Sequence, residues 1–472
     1  MPARAADRRR SHRSLAALCA LLVVLAGCST THYTVNASAE RLRPDSGYRI
    51  QRVFAQEPDD RMFVHIAISG GGARAAALGF GVLETLRDTA VVVDGKPQRL
   101  IDQVDLVMGV SGGSLIAAYY ALKGPDGFLD FEREFLGAQL QSDLLWRLGS
   151  PRSLWRLGSS RFGRSDLLQE LLDERLFHGA TFGTLAKAPR KPFMILYATD
   201  MVSGSRFEFV QDQFDYLCSD LDTLPIARAV AASSAAPLIL SPVTLWNHAP
   251  AAGQPGCGEP PLRAAMRNRP AAKAGQRLAE LDQLRAADAQ GPLRPYIHLV
   301  DGGLSDNVNA RGPLEFIEQF GSVIEGTRAA GYRGVKRTVF ILVNAETSAR
   351  SPEDRRADVP GVVRTALALA DIPINRNSDS TLAQMRGTIE AWADEVRAAH
   401  ARGDFEVFAE GARFYLVEVT LREEPDGRQR EALEQIPTSL QLAPEDVARL
   451  RAHARAALQR SAEFRRLLRD LQ

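Results

Sequence analysis

The segment Met108–Tyr120, MGVSGGSLIAAYY, places one serine in a turn of glycines between an apolar run and a run of small and apolar residues. Val104–Met108 has the composition of a buried strand, and the residues after the turn are typical of a buried helix. Gly109 and Gly113 stand two positions before and after Ser111, where a strand that turns at once into a helix has no room for side chains. This spacing predicts a nucleophile elbow, in which a strained backbone projects the Ser111 hydroxyl above the sheet.

Further apolar runs of strand length alternate with helical segments along the chain. These runs are Met62–Ile68, Phe193–Tyr197, Tyr296–Val300 and Thr338–Val343. Continuous apolar runs are typical of strands that are covered on both faces, as in parallel sheets. The alternation therefore predicts an α/β fold, a three-layer α/β/α sandwich with a mainly parallel central sheet. Arg206–Val210 follows a turn signal and is predicted to be an antiparallel partner of the strand before it.

Composition divides the chain into segments. Residues 59–347 are predicted to be the α/β domain, with a surface insertion at about 249–295 that is rich in Ala, Pro, Gly and charged residues and carries one helix. Residues 28–58 are polar and are predicted to be a tether and lead-in to the domain. Residues 348–472 are predicted to be mostly helical, with one strand at Phe414–Leu421 and a long final helix. If that strand joins the main sheet, the C-terminal region belongs to the same domain.

The N-terminus has the pattern of an export signal. Five arginines precede an apolar core of 11 residues, Leu15–Leu25. That core is shorter than the roughly 20 residues that span a bilayer, so residues 1–27 are predicted to be a signal peptide. The segment LAGC that ends at Cys28 resembles the lipobox of bacterial lipoproteins, and this resemblance implies a lipidated Cys28 at the mature N-terminus. Ser29, where an inner-membrane retention signal would be Asp, implies the outer membrane, facing the periplasm. The alternative is an ordinary signal peptide with a chance cysteine.

Net charge and cysteine content limit the kind of protein that this chain can be. The chain has 58 basic and 57 acidic residues, which argues against a nucleic-acid binder. Cys218 and Cys257 would remain beside Cys28 after processing, and an exported compartment permits a disulfide between them. Two separate buried thiols are the alternative.

A second glycine-rich turn, Ser69–Arg74, follows the first apolar run and opens a helix. Backbone N–H groups at a helix start form an anion site. A nucleotide phosphate loop would end in Gly-Lys-Ser/Thr or contain Gly-x-Gly-x-x-Gly, and neither pattern is present. An oxyanion hole needs only N–H donors aimed at a developing alkoxide, and Ser111 supplies the reason to need one. The loop is therefore predicted to be an oxyanion hole.

A nucleophilic serine needs a base, and in α/β-hydrolases the order along the chain is Ser, acid, His. The histidines after Ser111 are His178, His248, His298, His400 and His453. Four of them lie on polar helical stretches or away from strand ends and are expected to be ordinary surface residues, and His298 is expected to point into packing. Asp301 is a better candidate, because it ends an apolar run and precedes two glycines, which puts it on the sheet edge where Ser111 should emerge. A partly desolvated carboxylate can accept the serine proton, which predicts a Ser–Asp dyad.

Four motifs in this order resemble the patatin-like phospholipase family. They are the glycine loop with its arginine, the elbow, Ala232–Pro237 and Asp301–Asn307. The resemblance implies a three-layer α/β/α fold, a Ser–Asp dyad without histidine, and hydrolysis of acyl esters in lipids with no metal or other cofactor. It also implies a role for the individual residues: Ser111 is the nucleophile, Asp301 the base, Gly70, Gly71 and Gly72 the oxyanion donors, and Arg74 the basic position of the loop. Thr199–Asp200 resembles a family segment with a structural role.

The expected substrate is a phospholipid or lysophospholipid. Two alternatives stay open: a catalytically silent lipoprotein that binds lipid in the same pocket, and an acyltransferase or thioesterase on the same scaffold.

A local repeat offers a membrane contact. Leu145–Ser150 recurs as Leu154–Ser159, each with the sequence LWRLGS. Trp146, Trp155 and the leucines suit a lipid interface in which the arginine guanidinium stays in water. The alternative is a basic helical flap whose tryptophans pack inward.

Overall fold

A mixed sheet of eight strands forms the centre of the molecule in a computed structural model that describes residues 31–54, 62–93, 95–187, 191–266, 272–347 and 361–471, with 357 and 359. The predicted signal peptide and Cys28 lie outside the described residues. The strands of the sheet are β1 (Met62–Ile68), β2 (Val104–Val110), β3 (Phe193–Asp200), β4 (Arg206–Glu208), β5 (Val243–Trp246), β6 (Tyr296–Asp301), β7 (Val335–Asn344) and β8 (Phe408–Thr420).

The principal helices surround this sheet. They are α1 (Gly72–Asp88), α2 (Gly112–Lys123), α3 (Leu140–Gly149), α4 (Pro151–Leu157), α5 (Arg164–Leu172), α6 (Ile226–Ser233), α7 (Ala272–Gln283), α8 (Arg311–Phe320), α9 (Val323–Ala329), α10 (Val362–Ala401), α11 (Pro444–Arg460) and α12 (Ala462–Asp470). No helix among the described residues is both long enough and apolar enough to cross a bilayer.

The strand order is β8-β7-β1-β2-β3-β6-β5, with β4 paired to β3. The five strands from β8 to β3 run parallel, whereas β6 is antiparallel to both β3 and β5, and β4 is antiparallel to β3. Every residue of β1 and β2 is buried, as their continuous apolar sequences predict. The predicted α/β class with a mainly parallel sheet is confirmed.

Helices cover both faces of the sheet. On one face, small residues bring α1 close to its neighbours: a Cβ atom at Gly81 would lie 2.8 Å from the Cα of Arg451 in α11. On the other face, the ring of Phe340 in β7 lies 5.9 Å from that of Trp392 in α10. This is the predicted three-layer α/β/α sandwich.

The C-terminal region contributes to the same sheet. The predicted strand at 414–421 is part of β8, which pairs in parallel with β7 from Thr338↔Phe414 to Asn344↔Thr420. The single final helix expected from the sequence is two helices, because the chain changes direction at Ser461, whose side chain caps α12.

The segment expected to be a tether is bound to the domain over its described part. The Asn36 amide is fully buried and donates to Ser219 Oγ and to the carbonyl of Trp246. Ala37–Ser38 pairs as a short strand with Ser219–Asp220. Residues 31–54 of the predicted tether and lead-in are therefore bound to the domain, because their polar groups have buried polar partners.

The insertion at 249–295 is joined to the domain by a disulfide between Cys218 and Cys257, whose Cα atoms lie 5.7 Å apart. Its described part carries two helices, Pro261–Met266 and α7, where one was expected, and a short hairpin at Ala287–Pro292.

Candidate active site

Ser111 lies in the tight turn between β2 and α2. Its φ and ψ are 49° and −122°, a conformation that costs a non-glycine residue about 1–3 kcal/mol. The backbones around it touch, since a Cβ atom at Gly113 would lie 2.4 Å from the carbonyl oxygen of Ile68, and one at Gly109 would lie 2.7 Å from that of Gly113. The turn has the geometry predicted for a nucleophile elbow.

Neighbouring segments hold this strained turn in place. The Ser111 N–H donates to Ser233 Oγ at 2.8 Å, and the Ser111 carbonyl accepts from the Ser114 N–H at 3.0 Å. The segment after Ser233 also supports the opposite side of the site, because the carbonyls of Ser233 and Ala235 accept from the amides of Gly302 and Asp301. The motif at 232–237 thus joins the two halves of the site.

The hydroxyl of Ser111 donates to Oδ2 of Asp301 at 2.7 Å. The other carboxylate oxygen, Oδ1, accepts from the Gly303 N–H at 2.9 Å. Thr199 Oγ1 donates to the Asp301 carbonyl at 2.8 Å, so the segment Thr199–Asp200 supports the backbone of Asp301. The two residues that the sequence proposed as a dyad are therefore in direct contact.

Burial raises the pKa of Asp301 to about 6, although the hydrogen bonds from the Gly303 amide and the Ser111 hydroxyl act to lower it. The side chain is only 9% exposed. A carboxylate with a pKa just below neutrality is mostly ionised at pH 7 and is still basic enough to take a proton, which is the compromise that general-base catalysis favours.

Asp301 reaches Ser111 from a strand whose direction the sequence did not indicate. The sequence placed Asp301 on the sheet edge where Ser111 emerges, and its strand, β6, runs antiparallel to β3. In the register of the sheet, Val110 of β2 is paired with Tyr197 of β3, and Asp301 of β6 is paired with Ala198, the next residue of β3. Asp301 therefore lies at the sheet edge where β2 ends and Ser111 emerges, as expected, although β6 runs in the opposite direction to β2 and β3.

The glycine loop lies against the elbow, but its first amide is engaged elsewhere. The Gly70 N–H donates to the carbonyl of Asn307 at 3.1 Å, so the prediction that Gly70 is an oxyanion donor is wrong in this geometry. Gly71 and Gly72 have φ of 135° and 60°, which favour glycine. Their amides have no hydrogen-bond acceptor within the described part of the chain. The Ala73 amide donates to the carbonyl of Ser439 at 2.7 Å.

Gly112 is a site residue that the sequence analysis missed. A Cβ atom there would lie 1.9 Å from the carbonyl oxygen of Gly72, so only glycine allows the loop and the elbow to touch. Its amide, like those of the loop, has no acceptor among the residues described. The signal was available, because the residue after an elbow nucleophile commonly supplies an oxyanion donor. Ser439, which closes the loop from the C-terminal region, had no sequence signal.

Arg74 does not face the reacting groups. It is 5% exposed, and its guanidinium donates to the carbonyls of Ala345 and Ile436 at 2.8 and 2.6 Å. Its assignment to the oxyanion hole is corrected accordingly: Arg74 ties the start of α1 to the end of β7 and to the C-terminal region, and so shapes the loop.

No histidine among the described residues hydrogen-bonds to Ser111 or Asp301. Each has another environment. His32 and His178 are exposed, and His65 lies between aromatic rings. The remaining four are hydrogen-bonded elsewhere: His248 to Asn36, His298 to Thr244, His400 to Phe408, and His453 to Glu424 and Thr420. His453, expected at the surface, is 4% exposed. Across the described ranges, no group of three or more His, Cys, Asp or Glu side chains could hold a metal ion.

Comparison with known proteins gives one family match. The family described as patatin-like phospholipase matches residues 66–314. Human GIVD cytosolic phospholipase A2 in complex with methyl gamma-linolenyl fluorophosphonate is a similar solved structure at 13% identity and a TM-score of 0.40, with 89% of this chain and 62% of that chain covered. Another structure of the human enzyme has 14% identity and a TM-score of 0.36, with 67% and 52% covered.

VipD from Legionella pneumophila is also similar, at 12% identity and a TM-score of 0.33, with 95% of this chain and 73% of that chain covered. The chain thus spans between about half and two thirds of the human enzyme's length. No curated protein matches it by sequence.

Proposed function

This chain belongs to the patatin-like phospholipase family, and we propose that it hydrolyses acyl esters of phospholipids or lysophospholipids with Ser111 as the nucleophile and Asp301 as the base. Family membership supports lipid hydrolase activity. The observation that carries the finer proposal is the 2.7 Å hydrogen bond from the Ser111 hydroxyl to a buried carboxylate.

In the first half-reaction, Asp301 Oδ2 takes the proton of the Ser111 hydroxyl while Oγ attacks the ester carbonyl. The carbonyl oxygen becomes an oxyanion, for which the N–H groups of Gly71, Gly72 and Gly112 are the donors we assign. Collapse of the tetrahedral species breaks the bond to the leaving alcohol, which receives the proton from Asp301. Ser111 then carries the acyl group as an ester.

In the second half-reaction, Asp301 takes a proton from water and the resulting hydroxide attacks the acyl-enzyme. The fatty acid leaves and the proton returns to Ser111 Oγ. One carboxylate serves both steps, since it holds a proton only transiently and its pKa of about 6 lets it both accept and release that proton.

We further propose that the protein is an envelope lipoprotein, attached through lipidated Cys28 to the outer membrane on its periplasmic side. The support is the arginine-rich, apolar signal pattern and the small residues before Cys28. The disulfide between Cys218 and Cys257 is consistent with an oxidising compartment.

The proposed reaction is tested by replacing Ser111. Ser111→Ala should abolish fatty-acid release from a defined phospholipid mixture, as read by mass spectrometry, and should abolish covalent labelling by a fluorophosphonate probe. His298→Gln is the matched control, because a histidine base is the rival mechanism, and it should retain both signals.

Turnover by Ser111→Ala near the wild-type rate would refute the assignment. The same measurement separates the alternatives: a silent lipid-binding protein leaves the lipids unchanged, and an acyltransferase moves the acyl group to a second lipid without releasing it.

A further inference from the structure

Two consecutive helices, α3 and α4, present apolar side chains to solvent. Leu145 and Trp146 are 60% and 81% exposed, and Leu154 and Trp155 are 60% and 37% exposed. We call these four residues the docking surface. The alternative in which both tryptophans pack inward is therefore wrong. Contiguous exposed apolar side chains of this size mark a surface that meets a partner or a membrane.

The charge around the docking surface suits anionic lipid. Five arginines and no acidic residue lie between Asp143 and Asp166. Arg147 and Arg156 pair with Glu174 and Glu170, whereas the remaining three, Arg152, Arg161 and Arg164, are exposed. Basic side chains beside exposed Trp and Leu are the composition of membrane-surface helices.

Hydrogen bonds connect the chain on both sides of the docking surface to segments that contact the active site. Gln141 at the start of α3 accepts from the amide of Leu440, next to Ser439, which closes the glycine loop. On the far side of α4, the Ser165 amide donates to Ser241 Oγ at 3.1 Å.

Ser241 follows two exposed apolar residues, Leu238 and Ile239, which are 54% and 61% exposed. They in turn follow Ala235, whose carbonyl holds the Asp301 amide. Two further exposed apolar side chains therefore lie three and four residues after a segment that hydrogen-bonds to Asp301.

The first described residues of the chain lie beside the end of α4. The Ser159 hydroxyl, two residues after α4, donates to the Thr31 carbonyl at 2.6 Å, and the Tyr33 amide donates to the Arg161 carbonyl at 2.7 Å. Cys28 precedes Thr31 by three residues, a span of at most about 10 Å. A lipid on Cys28 can enter a bilayer only if the end of α4 lies near the membrane surface.

We propose that the docking surface inserts into the bilayer that holds the Cys28 anchor, so that the active-site edge faces that leaflet and the enzyme draws its substrate from it. The inference rests on the proposed lipidation of Cys28. The short connection sets the orientation, the tryptophans and leucines supply apolar contact, and the exposed arginines meet anionic headgroups.

The first test measures contact directly. The full-length lipidated protein is reconstituted in phosphatidylethanolamine–phosphatidylglycerol vesicles with or without brominated acyl chains, which quench tryptophans at the interface. Quenching is expected in the wild type and should be lost in Trp146→Phe/Trp155→Phe, because Trp392 is buried and Trp246 is half-buried. Equal emission with and without bromine in the wild type would overturn the proposal.

The second test separates docking from chemistry. Trp146→Ser/Trp155→Ser should lower hydrolysis of bilayer phospholipid about tenfold and leave hydrolysis of the monomeric ester p-nitrophenyl butyrate within about twofold of wild type. Val92→Ser is the matched control, since Val92 is 44% exposed on a separate two-stranded hairpin, outside α3 and α4, and its replacement should change neither rate.

An unchanged bilayer rate in the double variant would also overturn docking. If the wild type does not hydrolyse the monomeric ester, the proposed function is refuted. The quenching result would still decide whether the docking surface contacts the bilayer.

Discussion

Asp301→Asn should abolish hydrolysis and, at neutral pH, make the folded protein more stable. Burial raises the pKa of Asp301 from 3.8 to about 6, so the folded protein resists ionisation of this carboxyl by about two pK units. At about 1.4 kcal/mol per unit, the charged carboxylate costs the fold about 3 kcal/mol. Asparagine has the same shape without the charge, and its oxygen can still accept from the Gly303 N–H.

The stability difference should depend on pH with a defined sign. Below pH 3.8 the carboxyl is protonated in both the folded and the unfolded chain, and burial costs nothing. Between pH 3.8 and 6 the unfolded chain ionises while the folded protein keeps its proton. The favourable contribution of protonated Asp301 is therefore complete at low pH and lost as pH rises through about 6. The gain from Asp301→Asn should be about 0.6 kcal/mol at pH 4 and about 3 kcal/mol at pH 7.5.

Urea unfolding monitored by tryptophan fluorescence at the two pH values measures this gain. Asp126→Asn is the control, because that carboxylate is exposed and its replacement should change stability by less than about 0.5 kcal/mol. An Asp301→Asn protein less stable than wild type at pH 7.5, or equally stabilised at both pH values, would show that burial does not set the pKa of Asp301.

Three further outcomes are expected. First, kcat/KM for a soluble ester should be half-maximal near pH 6 and fall about tenfold per unit below it, because Asp301 must be ionised to act as a base; a flat profile between pH 5 and 8 would exclude this base. Second, Gly112→Ala should reduce esterase activity at least about 100-fold. The alanine Cβ would lie 1.9 Å from the carbonyl oxygen of Gly72 and would displace the N–H groups assigned to the oxyanion. Kinetics near those of the wild type would exclude that contact. Third, Cys218→Ser/Cys257→Ser should lower the free energy of unfolding by about 4 kcal/mol, because the disulfide closes a loop of 39 residues. Unfolding curves that coincide with those of the wild type would contradict this expectation.

Local sequence was enough to predict the elbow and the strands of the sheet other than β5, which had no sequence prediction. β1 has the same bounds, Met62–Ile68, in the sequence pattern and in the structure. Ser111 occupies the strained conformation that the flanking glycines predicted. The four motifs also predicted the pair Ser111 and Asp301, whose side chains are hydrogen-bonded in the structure. These features depend on residues that are neighbours in the chain, where apolar periodicity and backbone sterics act directly.

Contacts between distant segments were decided only in the tertiary structure. The sequence placed Asp301 near Ser111 but could not show that β6 runs antiparallel. It assigned Gly70 and Arg74 to the oxyanion hole, whereas their polar groups bond to carbonyls of Asn307, Ala345 and Ile436. Every residue has a backbone carbonyl, so the sequence does not show which carbonyl accepts from a given donor. That partner depends on which segments the fold brings together. The same reason explains why a polar N-terminal stretch proved to be bound to the domain: composition counts polar groups, and only the three-dimensional arrangement shows which of them find partners.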